Sequence, residues 1–190
     1  KKFQDTHTTL SGDERACVTF EGLKTLWVNT GTLCNIECAN CYIESSPRND
    51  RLVYIKASEL RPFLNEIEQD RLGTNEIAFT GGEPFLNRDM IPMLEDVLSR
   101  DFQALVLTNA MRPMQNRKKE LLGLRHWFGE KLTIRVSVDH YLKEKHEQER
   151  GKGSWEVMIE GLKFLSTEGF KVTVAGRTPW KENEDDMRRG

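Results

Sequence analysis

Leu23-Lys24-Thr25-Leu26-Trp27-Val28 leads through Asn29-Thr30-Gly31-Thr32-Leu33 into Cys34-Asn35-Ile36-Glu37-Cys38-Ala39-Asn40-Cys41-Tyr42. The first six residues read as a β-strand, Leu23–Val28, and Thr30-Gly31-Thr32 reads as loop. Beyond them stand three cysteines spaced C-x3-C-x2-C, just past the strand's carboxyl end. Three thiolates can hold three irons of a cubane [4Fe–4S] cluster. A structural or electron-transfer cluster takes four cysteines, so a set of three leaves one iron open to a small molecule. Two other readings stand beside this one. Spacings of four and three put side chains on one helix face, as buried core cysteines would be, but the intervening Asn, Glu, Ala and Asn make no apolar stripe. Structural zinc wants four ligands. Cys17 lies in a strand-like stretch away from the cluster, while His7, His126, His140 and His146 could donate at a distance, so zinc stays open.

The rest of the chain alternates strand and helix. After Leu23–Val28, Ser58 can cap a helix with Leu60, Phe63, Leu64 and Ile67 inward. Glu76–Phe79 is a second strand. Asp89 can cap a helix with Ile91, Leu94, Val97 and Leu98 inward, Pro92 being tolerated in its first turn. Ala104–Leu107 is a third strand, and Gln115 to Trp127 a helix weakened by Gly123. Leu132–Val138 is a fourth strand. Ser154 caps a helix carrying Trp155, Met158, Ile159, Leu162 and Leu165 on one face, stopped by Gly169. Val172–Ala175 is a fifth strand, and a further helix begins from Asn183. Strands alternating with helices imply parallel strands joined by right-handed crossovers. The expected fold is α/β, a partial (β/α) barrel. Residues 1–22 form an N-terminal extension or short hairpin, with Val18-Thr19-Phe20 its strand-like piece, and residues 23–190 form the core. Tyr141–Gly153, charged and holding two glycines, reads as a long loop, a solvated surface at least as readily as a lid.

Composition excludes several classes. The 190 residues are 37% hydrophobic and 31% charged, with net charge −2 and a pI near 6.2. No global field argues for nucleic acid or an anionic membrane, and no apolar run approaches membrane-spanning length. The basic run Arg117-Lys118-Lys119 reads as a solvated face. Four cysteines, three of them clustered, suit a reducing cytoplasm better than a disulfide framework. The ends, Lys1-Lys2 and Arg188-Arg189-Gly190, read as cut or disordered rather than natural.

In parallel α/β folds chemistry gathers at the carboxyl ends of the strands, and each polar cluster falls there. The cysteines follow strand one, Thr80-Gly81-Gly82-Glu83-Pro84 strand two, Thr108-Asn109 strand three, Ser137 and Asp139 strand four, and Gly176-Arg177-Thr178 strand five. Two glycines let backbone approach a ligand closely, and Glu83 can accept from an ammonium. Thr108, Ser137 and Asp139 can hydrogen-bond ribose hydroxyls or a carboxylate, and Arg177 can pair with a carboxylate. Amine, carboxylate and ribose together describe S-adenosylmethionine. Tyr42, Glu44, Arg112 and His140 near this rim are read as facing a substrate or water, with water favoured for any single one.

On these motifs the chain resembles the radical SAM superfamily over nearly its whole length. The resemblance implies cluster ligation by Cys34, Cys38 and Cys41, amine contact at Gly81, Gly82 and Glu83, and ribose or carboxylate contact at Thr108, Ser137, Asp139 and Arg177. It implies reductive cleavage of S-adenosylmethionine to a 5′-deoxyadenosyl radical that takes hydrogen from a small-molecule or peptide substrate. An external one-electron donor such as flavodoxin or ferredoxin is implied with it. Cys-Asn-x-x-Cys-x-Asn-Cys-Tyr, Thr-Asn, Ser-x-Asp and Glu149-Arg150-Gly151 before Gly153-Ser154-Trp155 are most similar to the branch that modifies peptides or builds cofactors, pyrroloquinoline-quinone maturases and molybdenum-cofactor cyclases among them. The chain departs from the family at Asn40, where an aromatic is frequent, and at Val174-Ala175-Gly176, a partial glycine-rich pattern. No sixth strand is present, so an incomplete (β/α)6 barrel is expected, and auxiliary clusters cannot be built from these residues' cysteines, which leaves them to a missing C-terminal region if they exist. Two rival classes stay open: a non-catalytic zinc- or iron–sulfur-binding module, and a true radical SAM scaffold that is inactive because its barrel is incomplete.

Overall fold

A computed structural model describes residues 5–177 and 179–189. Five strands, β1 Thr25–Asn29, β2 Glu76–Thr80, β3 Gln103–Thr108, β4 Leu132–Ser137 and β5 Lys171–Ala175, form one sheet in the order 1-2-3-4-5, every pair parallel. A doubly wound sheet would reverse its order at a switch point. Here every crossover steps the same way, which keeps the helices on one face and gives a partial barrel.

Side chains alternate across each strand. In register, Val28, Phe79, Val106, Ile134 and Val172 form one row, turned into the apolar core with the helices. One step on, Asn29, Thr80, Leu107, Arg135 and Thr173 point to the other face, where Arg135 Nε donates to Thr173 Oγ1 at 3.1 Å. The helical layer comprises α1 Ala57–Gln69, α2 Met90–Ser99, a short α3 Arg112–Gln115, α4 Lys118–Phe128, α5 Lys143–Arg150 and α6 Ser154–Thr167, followed after β5 by α7 Glu184–Arg189. Leu60, Leu64, Met93, Leu94, Val97, Leu121, Met158 and Leu165 are almost fully buried from this layer. Burial of each such side chain stabilises by about 1.5–3 kcal/mol.

Several local expectations change. Lys56, not Ser58, caps α1: Glu59 Oε2 accepts from the Lys56 N–H at 2.8 Å, half of a capping box. Asp89 stands at the N-cap position of α2, but its carboxylate serves α1, accepting from Ala57 N at 2.9 Å. Phe63 is 53% exposed, because the Leu60–Leu64–Ile67 stripe already fills the contact. The single helix expected over 115–127 is two, α3 and α4. Gly153 occupies the N-cap of α6 at φ +82, with Ser154 its first residue. The loop expected over 141–153 contains α5, which has no apolar stripe and is held instead by buried His146 and Glu149. The helix expected from Asn183 is α7, and Asn183 Oδ1 accepts from Asp186 N at 2.8 Å in its first turn. Thr8 and Glu14 form an isolated antiparallel bridge, and Val18–Phe20 is exposed and outside any strand. Lys1, Lys2, Thr178 and Gly190 lie outside the described residues.

Candidate functional site

The carboxyl end of β1 is sewn to that of β2 by backbone. Thr30 N donates to Thr80 O (2.8 Å), Gly82 N to Gly31 O (2.9 Å) and Glu83 N to Leu33 O (3.0 Å). This apposition needs glycine. A Cβ on Gly81, at φ +139, would sit 2.6 Å from Gly31 O, and one on Gly82 would sit 2.1 Å from Leu33 O. The two glycines therefore serve the approach of the cysteine segment, as well as forming cavity wall.

Beyond Leu33 the chain makes turns, not a helix, through Ser45. The reading of three core cysteines on a helix face fails on that backbone. Cys34 is buried, Cys38 and Cys41 are half-buried, and all three line one cavity of about 260 Å³ at the strands' carboxyl ends. Cys17 is exposed and outside it. Burial pushes the Cys34 thiol up to about 12 against an N–H donor at Ile36. Burial also raises Cys38, opposed by the Arg150 and Arg177 guanidiniums. Ser45 N donates to Cys41 Sγ at 3.3 Å.

Gly81, Gly82, Thr108, Ser137, Asp139 and Arg177 line the same cavity; Glu83 does not. Its side chain points into the protein, 1% exposed, where it accepts from Thr108 Oγ1 (2.8 Å), Asn109 N (2.9 Å) and Phe85 N (3.2 Å). Glu83, expected to take an ammonium, is engaged by these three donors, which leave one of a carboxylate's roughly four acceptor sites. Thr108 is engaged likewise, since its hydroxyl also accepts from Ala110 N at 3.0 Å. These two residues brace the end of β3.

Burial raises the Glu83 carboxyl to about 7 from an ordinary 4.5, against those donors. The folded protein therefore binds this proton more tightly than the unfolded chain does. The contribution to stability is present below pH 4.5 and lost as pH rises to 7. A shift of this size is worth about 3 kcal/mol. Denaturation of the apoprotein at pH 5 and pH 8 should show this loss, and Glu83→Gln should remove most of it. A slope unchanged in that variant would refute the assignment.

The other wall is ionic. Asp139, fully buried, receives Arg177 through Nη2 (2.6 Å), Nε (3.1 Å) and backbone N (2.9 Å), with Arg150 Nε 2.7 Å from its Oδ2. Burial would raise its carboxyl, but these guanidiniums outweigh burial and hold it below the usual range. Arg177 Nη1 also pairs with Glu149 at 2.5 Å. Glu149 in turn grips the cysteine loop, accepting from Asn40 N (2.9 Å), Asn40 Nδ2 (2.7 Å) and, at its backbone oxygen, Ala39 N (2.9 Å). The last turn of α5 thus clamps the residues between Cys38 and Cys41. Arg177, expected to be free for a ligand carboxylate, is already shared between two protein carboxylates. Arg150 lines the cavity. Neither Glu149 nor Arg150 was singled out individually from the sequence, although the motif Glu149-Arg150-Gly151 was.

The Radical SAM superfamily matches this chain over residues 28–189, and the chain belongs to that superfamily. It is 32% identical over 143 residues to the antilisterial bacteriocin subtilosin biosynthesis protein AlbA of Bacillus subtilis (strain 168), covering 75% of this chain and 30% of AlbA. It is 22% identical to the mycofactocin maturase MftC of Mycolicibacterium smegmatis, covering 81% of this chain and 37% of MftC. The fold is similar to that of Streptococcus suis SuiB, solved with S-adenosylmethionine (TM-score 0.69, 16% identity, 87% of this chain and 36% of SuiB) and with its precursor peptide SuiA (TM-score 0.70, 16% identity, 87% and 35%). The chain spans about a third of the length of these proteins.

The superfamily's cofactors are a [4Fe–4S] cluster and S-adenosylmethionine, and the residues present fit the cluster. Each of the three sulfurs has an N–H donor: Ile36 N for Cys34, Arg177 for Cys38 and Ser45 N for Cys41. Donors of this kind favour thiolate. Two guanidiniums supply positive charge beside Cys38. Among the described residues no three His, Cys, Asp or Glu side chains gather to hold a single metal ion, whereas a cubane offers each thiolate its own iron. No helix among the described residues is long and apolar enough to cross a membrane.

Proposed function

We propose that this chain, with residues 23–190 as its core, carries the catalytic centre of a radical SAM enzyme acting on a peptide. The observation that carries the reading is one cavity walled by three donor-backed thiols, a Gly-Gly backbone and two guanidiniums. Cys34, Cys38 and Cys41 would ligate the cluster. The backbone at Gly81 and Gly82 would receive the methionyl amine, and Ser137 a ribose or carboxylate oxygen. Arg150 and Arg177 would meet the carboxylate, with Asp139 and Glu149 holding them in orientation. Glu83 and Thr108 would act by position. When bound, the cluster supplies the electron that cleaves S-adenosylmethionine to methionine and a 5′-deoxyadenosyl radical; the protein supplies orientation and exclusion of water. The likeness to AlbA, a bacteriocin biosynthesis protein, favours a peptide over a small molecule. A flavodoxin or ferredoxin in the cytoplasm would supply the electron.

The test is anaerobic reconstitution with iron and sulfide, then S-adenosylmethionine and dithionite, with 5′-deoxyadenosine as readout. Its formation is expected. A full cluster without 5′-deoxyadenosine would favour a non-catalytic cluster module, and zinc bound one per chain without sulfide would favour a zinc module.

A further inference from the structure

We infer that Asn109 tunes the reduction potential of the cluster by donating a hydrogen bond from its side-chain amide to the Cys34 sulfur. The inference rests on the cluster reading above and goes beyond it, since no expectation gave Asn109 a role beyond the polar rim.

Asn109 is 6% exposed, and every polar atom it carries, save its backbone oxygen, has a defined partner. Its backbone N–H donates to Glu83, and its Oδ1 accepts from Met111 N at 3.0 Å. Its Nδ2 carries two hydrogens. One goes to Asn35 Oδ1 at 2.9 Å, and the other faces Cys34 Sγ at 3.9 Å. A flipped amide would set its oxygen against Asn35 Oδ1 and the sulfur, so this network fixes the orientation. The turn that aims it is strained. Ala110, fully buried, sits at φ +55, a left-handed conformation disfavoured for a residue with a Cβ. Helix α6 closes over this turn at Gly161, where a Cβ would lie 1.9 Å from Ala110 O. Gln115 Nε2 donates to that same oxygen at 3.0 Å. Strain held in place by a glycine contact and a buried amide, beside a group aimed at a metal ligand, is the pattern of a positioned functional residue.

The sign follows from charge. Reduction adds an electron to the cluster and its thiolates. A donor pointed at a ligand sulfur stabilises the more negative state and raises the potential. Cys34 is the most buried of the three, so water contributes least there and a protein donor most. Asn35 Oδ1 stands 4.0 Å from the same sulfur and acts oppositely, as an acceptor dipole facing an anion. The two asparagines therefore predict shifts of opposite sign.

The experiment is a mediated dithionite titration of the anaerobically reconstituted protein, followed by electron paramagnetic resonance of the reduced cluster. Asn109→Ala should keep its iron and sulfide while its reduction equilibrium falls about tenfold, a midpoint 59 mV more negative for a one-electron couple. Asn35→Ala should move the midpoint upward. An unchanged midpoint in a fully loaded Asn109→Ala overturns the inference, as does an equal fall in both variants, which would signal only a loosened loop. If Asn109→Ala fails to hold the cluster, Asn35→Ala decides: a raised midpoint supports the inference, an unchanged or lowered one overturns it. A wild type that takes up no cluster overturns the cluster reading itself, and this inference with it.

Discussion

Cys38→Ala should abolish cluster binding and leave the fold intact. Cys38 lies half-buried in a turn, where Cys41 N donates to its backbone oxygen at 3.3 Å, an interaction the substitution keeps. Its side chain is absent from the apolar core. Removing it should change apoprotein stability by no more than about 0.5 kcal/mol, as at ordinary sites away from the core. The metal site has no such tolerance. Three cysteines already leave one iron without a protein ligand, and two would leave two. Arg150 and Arg177, which face Cys38, would then bring positive charge to a place without a thiolate. Iron, acid-labile sulfide and visible absorption should fall to background after reconstitution, and 5′-deoxyadenosine with them. Cys17→Ala, changing an exposed thiol outside the cavity, should match the wild type in all four measurements. Full loading of Cys38→Ala would refute the ligand assignment, and loss in both variants would mean that the assay reads something other than this site.

How much of this was legible in the sequence depends on whether backbone or side-chain direction carries the function. Cysteine spacing and Gly81-Gly82 are properties of contiguous chain, and a strand followed by a loop locates them. The five strands were legible for the same reason: apolar runs bounded by turn residues. Side-chain direction is another matter. Glu83 and Thr108 lie at strand ends that face the cavity, yet their polar atoms turn to each other. Nothing in their spacing distinguishes a carboxylate that receives a ligand from one that receives Thr108 and Asn109. The segment Lys143–Arg150 was illegible as a helix because it lacks an apolar stripe. What holds it in place is Glu149 accepting from Asn40 and Arg150 pairing with Asp139, a long-range hydrogen-bond and ion-pair set that periodicity cannot report. Arg177 was found, but its two carboxylate partners came from strand β4's end and from that unseen helix.

Gly82→Ala should damage the site more than the loss of any one side-chain contact to S-adenosylmethionine, because it displaces the backbone that delivers Cys34. Gly82 has no left-handed φ, so alanine brings no conformational strain there and the effect is purely steric. The added Cβ would lie 2.1 Å from Leu33 O, 2.6 Å from Leu33 C and 2.7 Å from Thr32 O. All three are main-chain atoms and no rotamer relieves them. Either β2's end or the segment before Cys34 must withdraw by more than an ångström. The hydrogen bonds from Gly82 N to Gly31 O and from Glu83 N to Leu33 O would break or stretch with it. Overpacking against side chains costs about 1–3 kcal/mol, and rigid backbone puts this case at the upper end. The apoprotein's denaturation midpoint should fall accordingly, S-adenosylmethionine binding by equilibrium dialysis should be lost, and any cluster formed should decay faster in air. Gly123→Ala supplies the opposite sign: its Cβ meets nothing within 4 Å on helix α4, so it should stabilise by about 0.5–1 kcal/mol through helix propensity. Stability lost at residue 82 and gained at residue 123 would tie the Gly-Gly pair to close apposition of two chain segments. A Gly82→Ala protein with undiminished stability and cluster content would show that Leu33 stands farther away than the geometry requires.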